Sequence, residues 1–234
     1  MKRVACLATI PQREQSLART LGSLRKQVDA LYVYLNGYAR VPPIVKRLCA
    51  GYARSQRYGD RGDAGKFFWT DKLKNVLYLS CDDDFLYHDG YVAHLVRAAQ
   101  RHRLRCPVSL HGVILSNRLR RGRNVNWLRE GRAKLLQVID TVPVDTRVHL
   151  VGTGVLCYHT DSLRLTPRSF PTPNVADIWF AKACRDQRIA RYVVAHPPKL
   201  AVSIAPPFAA GPQHKRRSGE YSKIIARNAP WERL

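Results

Sequence analysis

"NVLYLSCDDDFLYHDGYV", Asn75 to Val92, decides how this chain is to be read. An apolar run rich in strand formers, Val76 to Cys81, stops on three consecutive aspartates, Asp82, Asp83 and Asp84. A short continuous apolar run bounded by polar residues is the pattern of a strand buried on both faces, as in parallel sheets. Like charges packed together raise one another's pKa and cost stability unless something positive sits among them. The triplet therefore asks for a cation. A solvated turn, with Asp89 capping the next helix, explains it less well.

Outward from this stretch the pattern alternates. "RVACLATI" (Arg3 to Ile10) reads as a buried strand, and "PQREQSLARTLGSLRKQ" as an amphipathic helix with Leu17, Leu21 and Leu24 on one face. "ALYVYLNGY" (Ala30 to Tyr38) is a second strand closed by the turn pair Asn36-Gly37. Strand, helix, strand with short connections is a parallel βαβ unit. "PPIVKRLCAGY" reads as a short helix and "SQRYGDRGDAGKFFW" (Ser55 to Trp69) as a glycine-rich loop. "HDGYVAHLVRAAQRHRL" is helical, with Tyr91, Leu95 and Val96 on one side. Residues 1–100 thus have the layout of a half that binds a nucleotide at the carboxyl ends of its strands.

Residues 101–210 are less regular. "PVSLHGVIL" reads as one strand, "SNRLRRGRNVNW" (Ser116 to Trp127) as a basic loop, and "HLVGTGVLCYH" (His149 to His159) as one strand carrying Gly152 and Gly154. "NVADIWFAKACRDQ" reads as a helix with an aromatic face and "ARYVVAHPP" as a late strand. Residues 211–234 are basic and weakly apolar, which predicts a mobile tail or a short terminal helix. The expected fold class is α/β, a single domain whose central, mostly parallel sheet is flanked by helices.

Composition narrows the function. A chain of 234 residues, 45% hydrophobic, is long enough for one sizeable core. Its 40 Lys plus Arg against 17 Asp plus Glu give a formal charge of +23, an excess that points to a polyanion or an anionic surface as partner. No apolar run reaches the length of a membrane span, and "MKRVACLATIPQRE" turns polar too soon for a secretory signal, so a cytoplasmic protein is expected. Six scattered cysteines without a CxxC pair read as buried reduced thiols rather than a zinc site or disulfide framework.

The landmarks occur in a telling order: "ATIPQREQSLARTLGSL", "YLNGY", "GDAGKF", "DDD", "GTG" and "ADIWFAKAC". In that order, over Val4 to Pro198, the chain resembles glycosyltransferases of the GT-A fold, near family 2. The resemblance implies a Rossmann-like GT-A domain over residues 1–210, with a nucleotide-sugar half (1–100) and an acceptor half (101–210). It also implies a UDP-sugar donor, UDP-glucose first, and Mn2+ or Mg2+. The triplet matches the family's DxD motif, with Asp84 and Asp82 at the metal, Asp82 alternatively at the ribose, and Asp83, on the other side of the extended segment, among the donor contacts. A divalent cation held there would stabilise the diphosphate leaving group. Asp177 matches the acidic residue at a helix start that takes the acceptor proton. Ala176 stands where the family often has a second acid, and a carboxylate there also complements the helix dipole.

The remaining donor positions implied are Thr9, Pro11, Arg13, Asn36, Asp63 and Lys66, with Asp63 accepting from uracil and Lys66 near the diphosphate. Each of these also reads as turn chemistry. Gly152 and Gly154 allow close backbone approach to sugar or acceptor, or mark a bulge. His196 is a further metal ligand as in some GT-A enzymes, or an ordinary hydrogen-bonded histidine.

Charge directs the acceptor. Arginines interleaved with Trp127, Tyr192 and Tyr221 suit phosphate neutralisation with base stacking. Arg118, Arg120, Arg121, Arg123, Trp127 and Trp179 are the acceptor candidates. DNA glycosyltransferases combine nucleotide-sugar chemistry with a polyanionic acceptor. That implies double-stranded DNA carrying 5-hydroxymethylcytosine, its base extruded for reaction. A bacterial surface polysaccharide or lipid-linked glycan, with the protein at a membrane surface, is the alternative. A nucleic-acid-binding module would leave the triplet as a repulsive patch. A nuclease or nucleotidyltransferase generally needs more converging carboxylates than these sparse acids supply.

Overall fold

Strand β1 (Lys2–Thr9) sends Val4 and Cys6 to one face and Ala5 and Leu7 to the other, and all four are buried. A strand apolar on both faces lies inside a sheet covered on both sides. In this computed structural model the described residues are 1–115, 133–205, 212–229, 231, 232 and 234. After β1 come a 3-10 turn at Pro11–Arg13, α1 (Glu14–Arg25), β2 (Ala30–Leu35), α2 (Pro43–Leu48), β3 (Gly51–Arg54) and α3 (Ser55–Tyr58). A 3-10 segment at Gly62–Phe67 leads to β4 (Val76–Cys81), β5 (Phe85–Tyr87) and α4 (Tyr91–Arg101). The second half holds β6 (Val108–Ser109), β7 (Gly112–Leu115), β8 (Ala133–Leu136), β9 (Thr146–Arg147), β10 (Leu150–Val151) and β11 (Val155–His159). It ends with α5 (Ala176–Asp186), β12 (Tyr192–Val193), β13 (Ala201–Ser203) and α6 (Pro212–Arg227).

The main sheet has eight strands in the order β3-β2-β1-β4-β11-β6-β12-β9. β3, β2, β1, β4, β6 and β12 run one way, β11 and β9 the other, so the sheet is mostly parallel. α1 covers one face with Leu17, Leu21 and Leu24, all fully buried, together with Tyr91, Val92 and Leu95 of α4. Each such leucine contributes about 1.5–3 kcal/mol, so packing rather than propensity holds α1 in place. The other face is aromatic: Phe67, Tyr78, Tyr158, Phe170 and Phe180 cluster beneath α5.

The chain runs from β1 outward to β2 and β3, then returns to place β4 on β1's other side. That reversal makes a crevice at the carboxyl ends of β1 and β4, where open α/β sheets bind ligands.

Two expected strands are each broken. "PVSLHGVIL" divides into β6 and β7, and "HLVGTGVLCYH" into β10 and β11. β6 and β11 pair in the main sheet while β7 and β10 pair in a three-stranded sheet, β10-β7-β8. The two segments cross between sheets side by side, at Leu110–His111 and Gly152–Gly154. A continuous apolar run does not show such a break, because both pieces remain buried. Gly152 permits the crossing: a Cβ there would stand 2.8 Å from the Cβ of His111. The expected glycine-rich loop holds α3 and the 3-10 segment, and of the late strand Tyr192–Val193 joins the main sheet while His196 makes an isolated antiparallel bridge to Val142.

Of the two expectations for residues 211–234, the terminal helix forms, as α6. α6 is followed by a segment that packs back, burying Ile224, Ile225 and Trp231 against Val175, Ile178 and Ala181 at α5. Glu232 pairs with the buried Arg191 at 2.5 Å, and its carbonyl meets His149 Nε2 at 2.9 Å. Composition missed this because the few apolar residues are spaced to face one neighbour. Cys6, Cys81, Cys157 and Cys184 are buried free thiols, with Cys49 and Cys106 half-buried. Among the described residues no helix is long and apolar enough to cross a membrane.

Candidate functional site

A cavity of about 440 Å³ opens at the carboxyl edge of the sheet. Of the residues singled out in the sequence, Thr9, Arg13, Asn36, Asp63, Lys66, Asp82, Asp83, Asp84, Gly152, Gly154 and Asp177 line it. Thr9 ends β1, Asn36 follows β2, and the triplet follows β4. Gly154 immediately precedes β11, whose Val155 is opposite Cys81.

The cations among the aspartates are protein groups. Arg13 donates to Asp83 Oδ1 at 2.7 Å and meets Asp84 Oδ2 at 3.0 Å. Lys66, 3% exposed, donates to Asp82 Oδ1 at 2.6 Å. Burial works against the charge on both cations, yet the surrounding carboxylates outweigh it and raise their pKa values. For Lys66 those carboxylates are Asp82, Asp63 and Asp177. The compensation is incomplete. Burial, reinforced by the charge of Asp82, pushes Asp84 up to about 6 despite Arg13, and Asp83 Oδ2 is buried without a partner.

Backbone contacts fix the triplet. Thr20 Oγ1 donates to the carbonyls of Asp83 at 3.0 Å and Phe85 at 2.7 Å. Tyr87 Oη accepts from the Asp82 N–H at 2.9 Å and donates to the Gly154 carbonyl at 2.7 Å. Gly154 is required by space, since a Cβ there would lie 2.0 Å from Asp82 Oδ2.

A divalent ion fits this donor set. Asp82 Oδ2 and Asp84 Oδ1 are hard oxygen atoms outside the ion pairs with Lys66 and Arg13. Among the described residues no three His, Cys, Asp or Glu side chains converge as a complete metal site. An ion here would need oxygens from a bound diphosphate and water, as Mg2+ commonly does.

Asp177 sits in the first turn of α5, where the dipole favours a carboxylate. Its Oδ1 accepts from the Thr153 N–H at 2.8 Å and the Thr153 hydroxyl at 2.5 Å, which leaves Oδ2 for the cavity. Asp63 caps the same helix from a distance, its Oδ2 accepting from the Ala176 N–H at 3.1 Å. Burial pushes Asp63 up to about 6 against the pull of Lys66, and its Oδ1 is buried without a partner. Asn36 ties down the glycine-rich loop, donating to the Gly62 carbonyl at 2.9 Å and accepting from the Arg61 N–H at 3.1 Å.

Three candidates stand apart from this cavity's walls. Pro11 opens the 3-10 turn after β1 without lining the cavity. Trp179 packs between the aromatic core and the small-sheet core, its indole Nε1 buried without a partner. His196 is buried, with Nδ1 2.8 Å from the Pro197 carbonyl and Nε2 3.1 Å from the Leu110 carbonyl. Neither nitrogen presents a lone pair to a cation, so His196 is not a metal ligand in this arrangement. A histidine before two prolines carries no sequence mark of that engagement. Arg118, Arg120, Arg121, Arg123 and Trp127 lie outside the described residues.

Sequence reasoning missed Thr153, His111 and Asn174, all on the cavity wall, and named Tyr221, also there, only as a stacking residue. Thr153 was legible only as the middle of "GTG". Tyr221 donates to the Asn174 carbonyl at 2.6 Å, bringing α6 to the cavity rim. Burial lowers the pKa of His111, against the raising influence of Asp177, Asp82 and Asp140.

No protein-family model matches the sequence, and no curated protein matches it. A solved structure described as "Crystal Structure of a Mycobacterial Protein" is similar over 85% of this chain and 69% of its own, at 14% identity and TM-score 0.46.

Proposed function

We propose that the chain is a metal-dependent glycosyltransferase of the GT-A type, moving a sugar, glucose first, from a UDP-sugar to a hydroxyl on a polyanionic acceptor. One observation carries the reading: the acidic triplet at the end of β4 shares a cavity with Arg13, Lys66 and Asp177, at the crevice where the strand order reverses. In this reading Thr9, Asn36 and Asp63 border the nucleoside, and Arg13 and Lys66 lie beside the diphosphate. Asp82 and Asp84 would hold Mn2+ or Mg2+, which supplies charge stabilisation to the departing diphosphate. Asp177 Oδ2 takes the proton of the attacking hydroxyl, with Oδ1 locked by Thr153 so that the carboxylate cannot turn away.

The acceptor assignment follows from charge. Of 40 Lys and Arg, only Arg13 and Lys66 among the described residues line the cavity with the donor-site acids, and the net balance of +23 counts every acid in the chain, so a large cationic excess remains for another polyanion. Duplex DNA carrying 5-hydroxymethylcytosine is the acceptor we assign, and a surface or lipid-linked glycan is what a negative DNA result would favour. The donor site is tested by titrating UDP and UDP-glucose calorimetrically with and without Mn2+. We expect Mn2+-dependent binding in the wild type and at least tenfold weaker binding in Asp84→Ala. Equal binding by that variant would contradict the metal assignment.

A further inference from the structure

His111 lies where the two sheet-crossing segments meet. Its N–H is held by Ser109 Oγ at 3.2 Å, and its carbonyl accepts from the Gly152 N–H at 2.7 Å. The imidazole rests over Gly152, whose missing side chain makes room for it: a Cβ there would stand 2.8 Å from Cδ2 of the ring. The residue after Gly152 is Thr153, which holds Asp177. One turn of backbone thus seats the imidazole and anchors the carboxylate on the same wall. The other described histidines after His111 are engaged. His149 spans the Leu115 N–H and the Glu232 carbonyl, His159 lies beside Asn75 Oδ1 and the Asp161 N–H, and His196 lies between two carbonyls. The His111 ring nitrogens make no hydrogen bond among the described residues, and the half-buried residue lines the cavity. A ring seated by its backbone with its nitrogens unengaged in a cavity is available to a ligand atom.

The loops after β1, β2 and β4 line one part of the cavity wall, and the crossing segments with the start of α5 line another. His111 and Asp177 both belong to the second part, beside the triplet. We propose that His111 is a substrate-contacting positioning residue that holds the attacking hydroxyl beside Asp177. The inference rests on the glycosyltransferase reading. In the step it serves, the hydroxyl oxygen forms a bond to the anomeric carbon and its proton passes to Asp177 Oδ2. The bond from that carbon to the diphosphate oxygen breaks, and its electron pair leaves with the diphosphate. His111 exchanges no proton; the ring contributes a hydrogen bond that fixes the oxygen on the line of attack.

The test compares the wild type with His111→Ala and His111→Asn, measuring UDP release from UDP-glucose with Mn2+, to water and to any offered acceptor that stimulates it. Misplacing a nucleophile typically costs on the order of 100-fold. His111→Ala is therefore expected to lower kcat by about ten- to a hundredfold while the KM for UDP-glucose and the affinity for UDP stay within about twofold. His111→Asn, which keeps a short polar group, is expected to recover part of the loss, and it carries the test if the alanine variant melts early. Unchanged kcat in both variants overturns the inference, as does a KM rise at constant kcat, which would place His111 against the donor. A wild type that binds neither UDP nor UDP-glucose overturns the donor-site reading, and this inference with it.

Discussion

Asp177 and Gly154 carry the sharpest consequences of single side chains. Asp177→Asn keeps a group of the same shape in the first turn of α5 but removes the base. We expect UDP affinity within a factor of about two and a fall in kcat of roughly 10²–10⁴, the usual contribution of a positioned base. Loss of UDP binding by a folded variant would reassign Asp177 to the donor. Gly154→Ala would push a methyl to 2.0 Å from Asp82 Oδ2, so the Asp82 carboxylate must shift from its place beside Lys66. Overpacking of this kind costs about 1–3 kcal/mol, and we expect a lower melting temperature together with at least a tenfold loss of Mn2+-dependent UDP binding. The triplet and Asp177 were legible because an acid at a strand end or helix start stands out against apolar neighbours. His111 and Thr153 were not, since nothing local distinguishes a histidine or threonine inside a buried run. Arg13 and Lys66 were legible as residues of the site, since both line the cavity, but not as the triplet's own counter-charges. Their pairing spans 70 and 16 residues, and only the sheet brings them together.

At the scale of elements, the β1-α1-β2 unit, β4 and α4 followed from apolar periodicity, because long buried segments leave strong patterns. The short strands of the second half did not. Each has two to five residues and draws its stability from neighbours distant in sequence. Asp145 shows how these pieces are tied together. It accepts from the Ala195 N–H at 2.7 Å, from His102 Nε2 at 3.0 Å and from Arg101 at 3.2 Å, joining the loop before β9 to the end of α4 and the segment after β12. Burial works to raise this carboxyl, but the three donors prevail and hold it below its ordinary value. A carboxylate depressed in the folded state contributes stability above its unfolded pKa of about 3.9, and that stability is lost as pH falls through the folded value. Asp145→Asn should therefore be less stable than the wild type in urea at pH 7, with the gap closing below about pH 4. A gap independent of pH would mean that packing, not charge, is what Asp145 supplies.

For the molecule as a whole, the docked C-terminal segment changes what the charge means. Ile225 of α6, Trp231 and the Glu232–Arg191 pair anchor the segment beside the cavity rim, where Tyr221 reaches Asn174. The sequence carries 40 cations against 17 acids, and in the proposed function this excess holds the polyanionic acceptor. The proposed function stands on transfer from a nucleotide-sugar at the triplet. Its most direct test is UDP release from UDP-glucose and other UDP-sugars with Mn2+ or Mg2+, with no acceptor, plain duplex DNA or DNA carrying 5-hydroxymethylcytosine. The account predicts metal-dependent release that rises with the hydroxymethyl group, with a matching mass gain on the DNA. Metal-dependent release that DNA does not stimulate would move the acceptor to a glycan or lipid. No release from any UDP-sugar, with DNA bound all the same, would contradict the claim.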